Sequence, residues 1–146
     1  MTVGGQIALG FSWTCVTIGL AVAFILVLME GNTLALHRLR RWPAPARTGL
    51  VLLASVIWML VGIVAVVSAW AWLFVTLAIF DDAEAGFYFA IVSTTTVGFG
   101  DVVLPQPWRI LSGFAAADGF IIFGLDTAVL FEVLRLLREA ELPRPA

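Results

Sequence analysis

Charge is absent from long continuous stretches of this chain, and nothing else constrains its fold as strongly. Residues 1–29 contain no Asp, Glu, Lys or Arg, and neither do the 33 residues of the run 48–80. Across 110–131 the only charges are Asp118 and Asp126. In lipid the backbone must satisfy its own hydrogen bonds, which an apolar helix does and an irregular segment does not. About 20 apolar residues rising ~1.5 Å each cover a ~30 Å hydrocarbon core. Each run reaches that length, so the sequence predicts three transmembrane helices, the first over roughly residues 6–29. No Lys or Arg precedes this first run, and it is too long for a signal-peptide core, so it reads as a retained helix. The second run exceeds a perpendicular span, which implies a tilt or an end at the interface, with Trp70 and Trp72 as an aromatic belt.

Composition removes the alternatives. Apolar residues make up 62% of the 146, charged residues 12%, and mean hydropathy is +1.05. Eight basic and ten acidic side chains cannot coat a soluble domain of this size. A single cysteine (Cys15) and a single histidine (His37) exclude a disulfide framework and a Cys/His metal cage within one chain. A net charge of −2 leaves no basic footprint for nucleic acid.

Every positive charge is Arg, and the distribution sets an orientation. Arg38, Arg40, Arg41 and Arg47 lie in the first connection, and Arg135, Arg138 and Arg144 follow the third run. The opposite side holds only Arg109, with Asp81, Asp82, Glu84 and Asp101. By the positive-inside rule the first loop and the C-terminus are cytoplasmic and the N-terminus is outside, in a plasma (inner) membrane. Arg38, Arg40 and Arg41, among Leu34, Leu36 and Leu39, are placed to meet anionic lipid headgroups. Trp42-Pro43-Ala44-Pro45 breaks the chain between the first two spans. The hydroxyls of Ser12, Thr14 and Thr17 read as aids to helix packing, and Cys15 as an inert buried thiol.

Between the second and third runs, AEAGFYFAIVSTT (83–95) is too short and too polar to span, and TVGFGD follows it. About three helical turns and then irregular backbone imply a re-entrant loop, tolerated only within protein or along an aqueous path. TTTVGFGD (94–101) resembles the selectivity filter of tetrameric potassium channels. Residues 87–105 look like a pore helix, filter and outer mouth, and Gly119 with FGLDTAVL (123–130) like the inner pore-lining helix. The resemblance covers about residues 48–138 and is greatest to the bacterial two-helix and two-pore-domain branches; the first helix lies outside it.

A dehydrated potassium ion needs oxygen ligands that replace its water shell. Backbone carbonyls provide them when consecutive ones face one axis, which requires alternate residues to reach the left-handed region, as Gly98 and Gly100 do at least cost. The resemblance then implies K+ sites at the carbonyls of Thr96, Val97, Gly98 and Phe99, with the Thr96 hydroxyl at the inner one. Val97 and Phe99 would pack the outer wall of the filter. The pore helix would point its partly negative C-terminus at the cavity. Asp101 marks the outer mouth, where Asp81, Asp82 and Glu84 either concentrate cations or serve as a solvated loop. The bracing acid of the family is replaced by Val92, leaving Tyr88 either to bond Asp101 or simply to pack. Gly119 is the implied hinge. From it, helical spacing puts Phe120, Phe123, Thr127 and Phe131 on one face, either as cavity lining and gate or as plain core. Asp126 would flank the cavity, whereas Asp118 would turn away from it toward Ser93, Thr94 or Tyr88 of the pore helix.

These elements amount to an all-α membrane protein with three spans, a re-entrant pore helix and a filter. One filter strand cannot surround an ion, so a four-fold symmetric homotetramer is implied. The organisation reads as an added helix with an Arg-rich linker (1–47), a pore domain (48–138) and a short cytoplasmic tail (139–146). The implied function is passive potassium-selective conduction; no enzymatic activity, cofactor or nucleic-acid partner is expected, and membrane lipid is the surrounding partner. A potassium-uptake transporter subunit and a non-conducting regulatory subunit are the rivals; the first would carry four pore units per chain with degraded filters. Only 15 residues follow Phe131, too few for a ligand-binding domain, and the gating partner stays open. The first span is expected to be peripheral.

Overall fold

Helix α1 (Val3–Arg38) begins where the Thr2 hydroxyl accepts a hydrogen bond from the Gly5 amide at 3.3 Å, satisfying one of the free N–H groups of its first turn. The computed structural model describes residues 2–141, so Arg144 and residues 142–146 of the expected tail lie outside the described residues. The helix continues past the predicted end of the first span, through Glu30 and His37, because nothing before Pro43 lacks an amide hydrogen. The connection at 39–43 is a single turn. Helix α2 (Ala44–Thr76) follows, with Pro45 in its first turn, where an amide hydrogen is not needed. Both helices are long and apolar enough to cross a membrane.

Helix α2 ends four residues short of the uncharged run. Ile79 N–H bonds to Phe74 C=O at 3.1 Å and Ala78 N–H to Val75 C=O at 2.9 Å, a Schellman closure with Ala78 at φ +52°. The chain then turns into α3 (Ala83–Thr94), capped by Asp82 Oδ1, which accepts from Ala85 N–H at 2.7 Å. Glu84 in the first turn complements the helix dipole. After an irregular stretch and a 3-10 turn (Gln106–Trp108), α4 (Arg109–Glu141) completes an all-helical chain.

Lipid tails are as apolar as leucine, so what joins these helices is close packing and hydrogen bonding rather than exclusion of water. Toward the α3 end, Trp70, Phe74, Leu111 and Ala115 are fully buried with Phe89, and the Phe74 and Phe89 rings meet edge-on at 5.3 Å. At the other end Val51, Val133 and Leu137 form a second core, beside which the Ser55 hydroxyl donates to Val51 C=O at 2.7 Å, with Asn32 Oδ1 of α1 at 3.2 Å.

Within the chain, helix α1 packs against both α2 and α4. It runs parallel to α4 along most of its length: Gln6 Oε1 accepts from Ile110 N–H, Gly10 faces the Phe114 ring, and Thr17 reaches Asp118. A Cβ on Gly10 would lie 2.3 Å from that ring, so glycine is what permits the approach. Two expectations are corrected. Trp70 is not an exposed belt residue: it has no exposed surface and its Nε1 donates inward to Asp118 of α4, whereas Trp72 stays exposed and stacks on Trp13 at 5.7 Å. Cys15 is exposed, lying on the side of α1 turned away from the α1–α4 contact.

Candidate functional site

The end of α3 is built to hand the chain over to an irregular strand. Thr94 and Thr95 return their hydroxyls to Ala90 C=O and Ile91 C=O at 2.8 and 2.6 Å, so neither competes for the backbone beyond. Thr96 N–H closes on Ser93 C=O at 2.9 Å and Gly98 N–H on Val92 C=O at 3.2 Å, tying the first turn of the strand to the helix. The backbone is left-handed at alternate residues, with φ +60° at Thr96, +54° at Gly98 and +78° at Gly100. Val97 and Phe99 have negative φ. The third member of the alternation, Thr96, carries a Cβ in a conformation costing roughly 1–2 kcal/mol for an L-residue, strain that the hydrogen bond from its amide to Ser93 helps to hold.

Residues 96–101 are all exposed in the single chain, with Val97 54% and Phe99 70% exposed. An open cavity of about 550 Å3 lies beside this strand, bounded by Val92, Thr96, Gly98, Ser112, Gly113 and Ala116. The small residues on α4 leave room there for side chains that the chain itself does not supply.

At the far end of the strand, the Tyr88 hydroxyl donates to Asp101 Oδ2 at 2.5 Å, and Val102 N–H donates to Oδ1 at 3.0 Å. The bond from Tyr88 favours the carboxylate and holds Asp101 below the ordinary carboxylate value, more than offsetting slight desolvation. Val92 is half-buried and offers no acid. Asp81, Asp82 and Glu84 are exposed at the start of α3, Asp82 serving as its cap.

Gly119 sits where α4 crosses the end of α3. A Cβ there would lie 1.8 Å from the Thr94 carbonyl oxygen, so backbone meets backbone and no side chain fits. Phe120, Phe123, Thr127 and Phe131 share an exposed strip of α4, with Phe120 75% and Phe131 69% exposed and Phe123, at 37%, partly covered. The Thr127 hydroxyl is turned back to Phe123 C=O at 2.8 Å.

Of the two acids of α4, Asp118 differs from expectation in its partners. Asp118 does turn away from the exposed strip, but its partners are on α1 and α2, not α3. Its Oδ2 accepts from Thr17 Oγ1 and Trp70 Nε1, both at 2.6 Å, and the residue is fully buried. One residue is 100° of helix, so Gly119 takes the face toward Thr94 and leaves Asp118 facing α1 and α2. Asp126 lines a hollow of about 310 Å3 between α2 and α4 with Met59, Leu60, Phe123 and Thr127. Thr17 and Trp70 are the functional-looking residues that sequence reasoning missed. The signal was present, since a carboxylate in an apolar run needs donors. Choosing among Ser12, Thr14 and Thr17 required the register of α1 on α4.

Residues 62–136 match a family model described as "Ion channel". The match starts inside α2, takes in α3 and the 96–101 strand, and ends inside α4; α1 lies outside it. No curated protein and no solved structure is significantly similar to the chain.

Proposed function

This chain belongs to the ion-channel family, which makes it a membrane protein that passes ions, and from that premise we propose that it is a potassium-selective pore of four identical chains. The observation that carries the reading is the alternation of left-handed backbone at Thr96, Gly98 and Gly100. Alternating handedness turns successive carbonyls to one side of the strand instead of to opposite sides. Those of Thr96, Val97, Gly98 and Phe99 then form rings of oxygen when four strands face one axis, with the Thr96 hydroxyl below them. Potassium is dehydrated without net cost because these oxygens replace its water, and it moves down its gradient with no covalent step and no cofactor.

Four-fold closure follows from the single strand per chain. The exposed Val97 and Phe99 side chains and the open cavity beside Gly113 and Ala116 are the surfaces a neighbouring chain would cover. In this assembly α1, α2 and α4 are the three spans, α3 is the re-entrant pore helix, and Phe120, Phe123, Thr127 and Phe131 line the cavity, where Phe131 is placed to gate by dewetting. Asp101, fixed by Tyr88, sits at the outer mouth. The arginine asymmetry supports an orientation with the N-terminus outside and the Arg38–Arg47 connection in the cytoplasm of a plasma-membrane protein.

Flux from purified protein in liposomes tests the reading. Wild-type vesicles should pass potassium far faster than sodium. Gly98→Ala, whose Cβ meets no atom within 4 Å but whose φ is +54°, should assemble and lose that flux through the backbone alone. Normal potassium flux in Gly98→Ala would remove the filter assignment. For orientation, Thr2→Cys should react with an impermeant thiol reagent from the external face; labelling from the cytoplasmic face alone would invert the topology.

A further inference from the structure

The proposed pore needs only α2, α3 and α4, yet α1 donates a hydrogen bond to a buried carboxylate beside the contact that seats the pore helix. Thr17 Oγ1 has three acceptors in reach, Asp118 Oδ2 at 2.6 Å, Thr14 C=O at 3.0 Å and Trp13 C=O at 3.1 Å, and one proton to give. The Asp118 oxygen is the shortest of the three contacts, so it takes the proton. Trp70 Nε1 donates to the same oxygen at 2.6 Å, while Oδ1 is buried without a partner among the described residues. A carboxylate at bilayer depth held by two donors on one oxygen depends on both. The next residue, Gly119, lies in backbone contact with Thr94, the last residue of α3, and Thr96 starts the filter two residues on.

We propose that α1 is a brace for the selectivity filter and that Thr17 and Trp70 are positioning residues acting through Asp118. The three side chains fix the height and rotation of α4 at Gly119, Gly119 sets the position of the Thr94 carbonyl, and Thr94 sets the floor of the filter. Gln6 on Ile110 N–H and Gly10 under Phe114 hold the same parallel register of α1 on α4 nearer the outer end. This inference rests on the proposed potassium-filter reading and adds to it a role for the helix that lies outside the family match.

The test uses the full-length assembled protein in liposomes and reads the potassium-over-sodium flux ratio, which a purely structural role would not move in tetramers that have already assembled. Thr17→Val keeps the shape and removes the hydroxyl. It should lower the ratio about three- to tenfold, the range one interhelical hydrogen bond at bilayer depth can set. Thr17→Ser should restore it, and Ser12→Ala, an exposed hydroxyl on the same helix, should leave it at the wild-type value. Trp70→Phe keeps the ring, removes the second donor and should lower the ratio in the same way, so it carries the test if Thr17→Val yields no tetramer. Assembled Thr17→Val or Trp70→Phe with a wild-type ratio would overturn the brace while leaving the filter reading intact. A wild-type protein with no preference for potassium would overturn the filter reading first, and the brace with it.

Discussion

Replacing Gly119 with alanine separates two roles for this residue, because they predict opposite signs. If Gly119 served only as a flexible point in α4, alanine would favour the helix by roughly 0.8–1.0 kcal/mol, the difference in helix propensity between the two residues. The contact with α3 predicts the reverse. The added Cβ would lie 1.8 Å from the Thr94 oxygen, 2.6 Å from its carbonyl carbon and 2.9 Å from its Cα, where real Cβ atoms essentially never come within 3.0 Å. All three are backbone atoms, so no rotamer change relieves them, and α4 must move about 1.2 Å away from the end of α3. Overpacking that forces backbone shifts costs about 1–3 kcal/mol and occasionally more, and this site belongs at the upper end of the range. About 3 kcal/mol is a large part of the ~5–15 kcal/mol that stabilises a folded domain. The assay is thermal unfolding of the detergent-solubilised protein, with Gly124→Ala as the control on the same helix, where a Cβ meets nothing within 4 Å. Gly124→Ala should be neutral to stabilising, and Gly119→Ala should melt well below wild type or fail to assemble. A Gly119→Ala protein as stable as Gly124→Ala would refute the close-contact argument and leave the hinge as the reason for glycine.

Two further outcomes follow from local geometry. Ala78 closes the end of α2 at φ +52°, so Ala78→Gly should stabilise the protein by about 0.5–1 kcal/mol, the left-handed cost removed less the entropy glycine adds to the unfolded chain, and a lower melting temperature would contradict it. Tyr88→Phe removes the donor that depresses the Asp101 carboxyl. A depressed carboxylate contributes above its ordinary value and stops contributing as pH falls through the depressed one. The variant should therefore lose flux at a higher external pH than wild type on the acid side, and superimposable acid limbs would show that Tyr88 only packs.

Much of this protein is legible along the chain because the bilayer enforces a simple rule: a charge-free run of sufficient length becomes a helix. The runs at 1–29 and 48–80 and the Pro43 break needed no tertiary information. The left-handed backbone at residues 98 and 100 was legible for a related reason. Gly98 and Gly100 at alternate positions advertise left-handed backbone whatever surrounds them, and both adopt it. The residues that failed to declare themselves depend on which helix faces which. Hydropathy gives Trp70 and Trp72 the same value, yet one is buried on Asp118 and the other exposed, because they stand two residues, about 200°, apart on α2. Asp118 was recognisable as a buried acid in need of donors, but its partners were set by the parallel register of α1 on α4, which no periodicity in either helix encodes. Sequence alone determined what each segment becomes, since that is settled by each residue's own solvation and backbone preferences. Tertiary structure alone decided which polar groups meet, since a buried hydrogen bond depends on the relative height and rotation of two helices far apart in the chain.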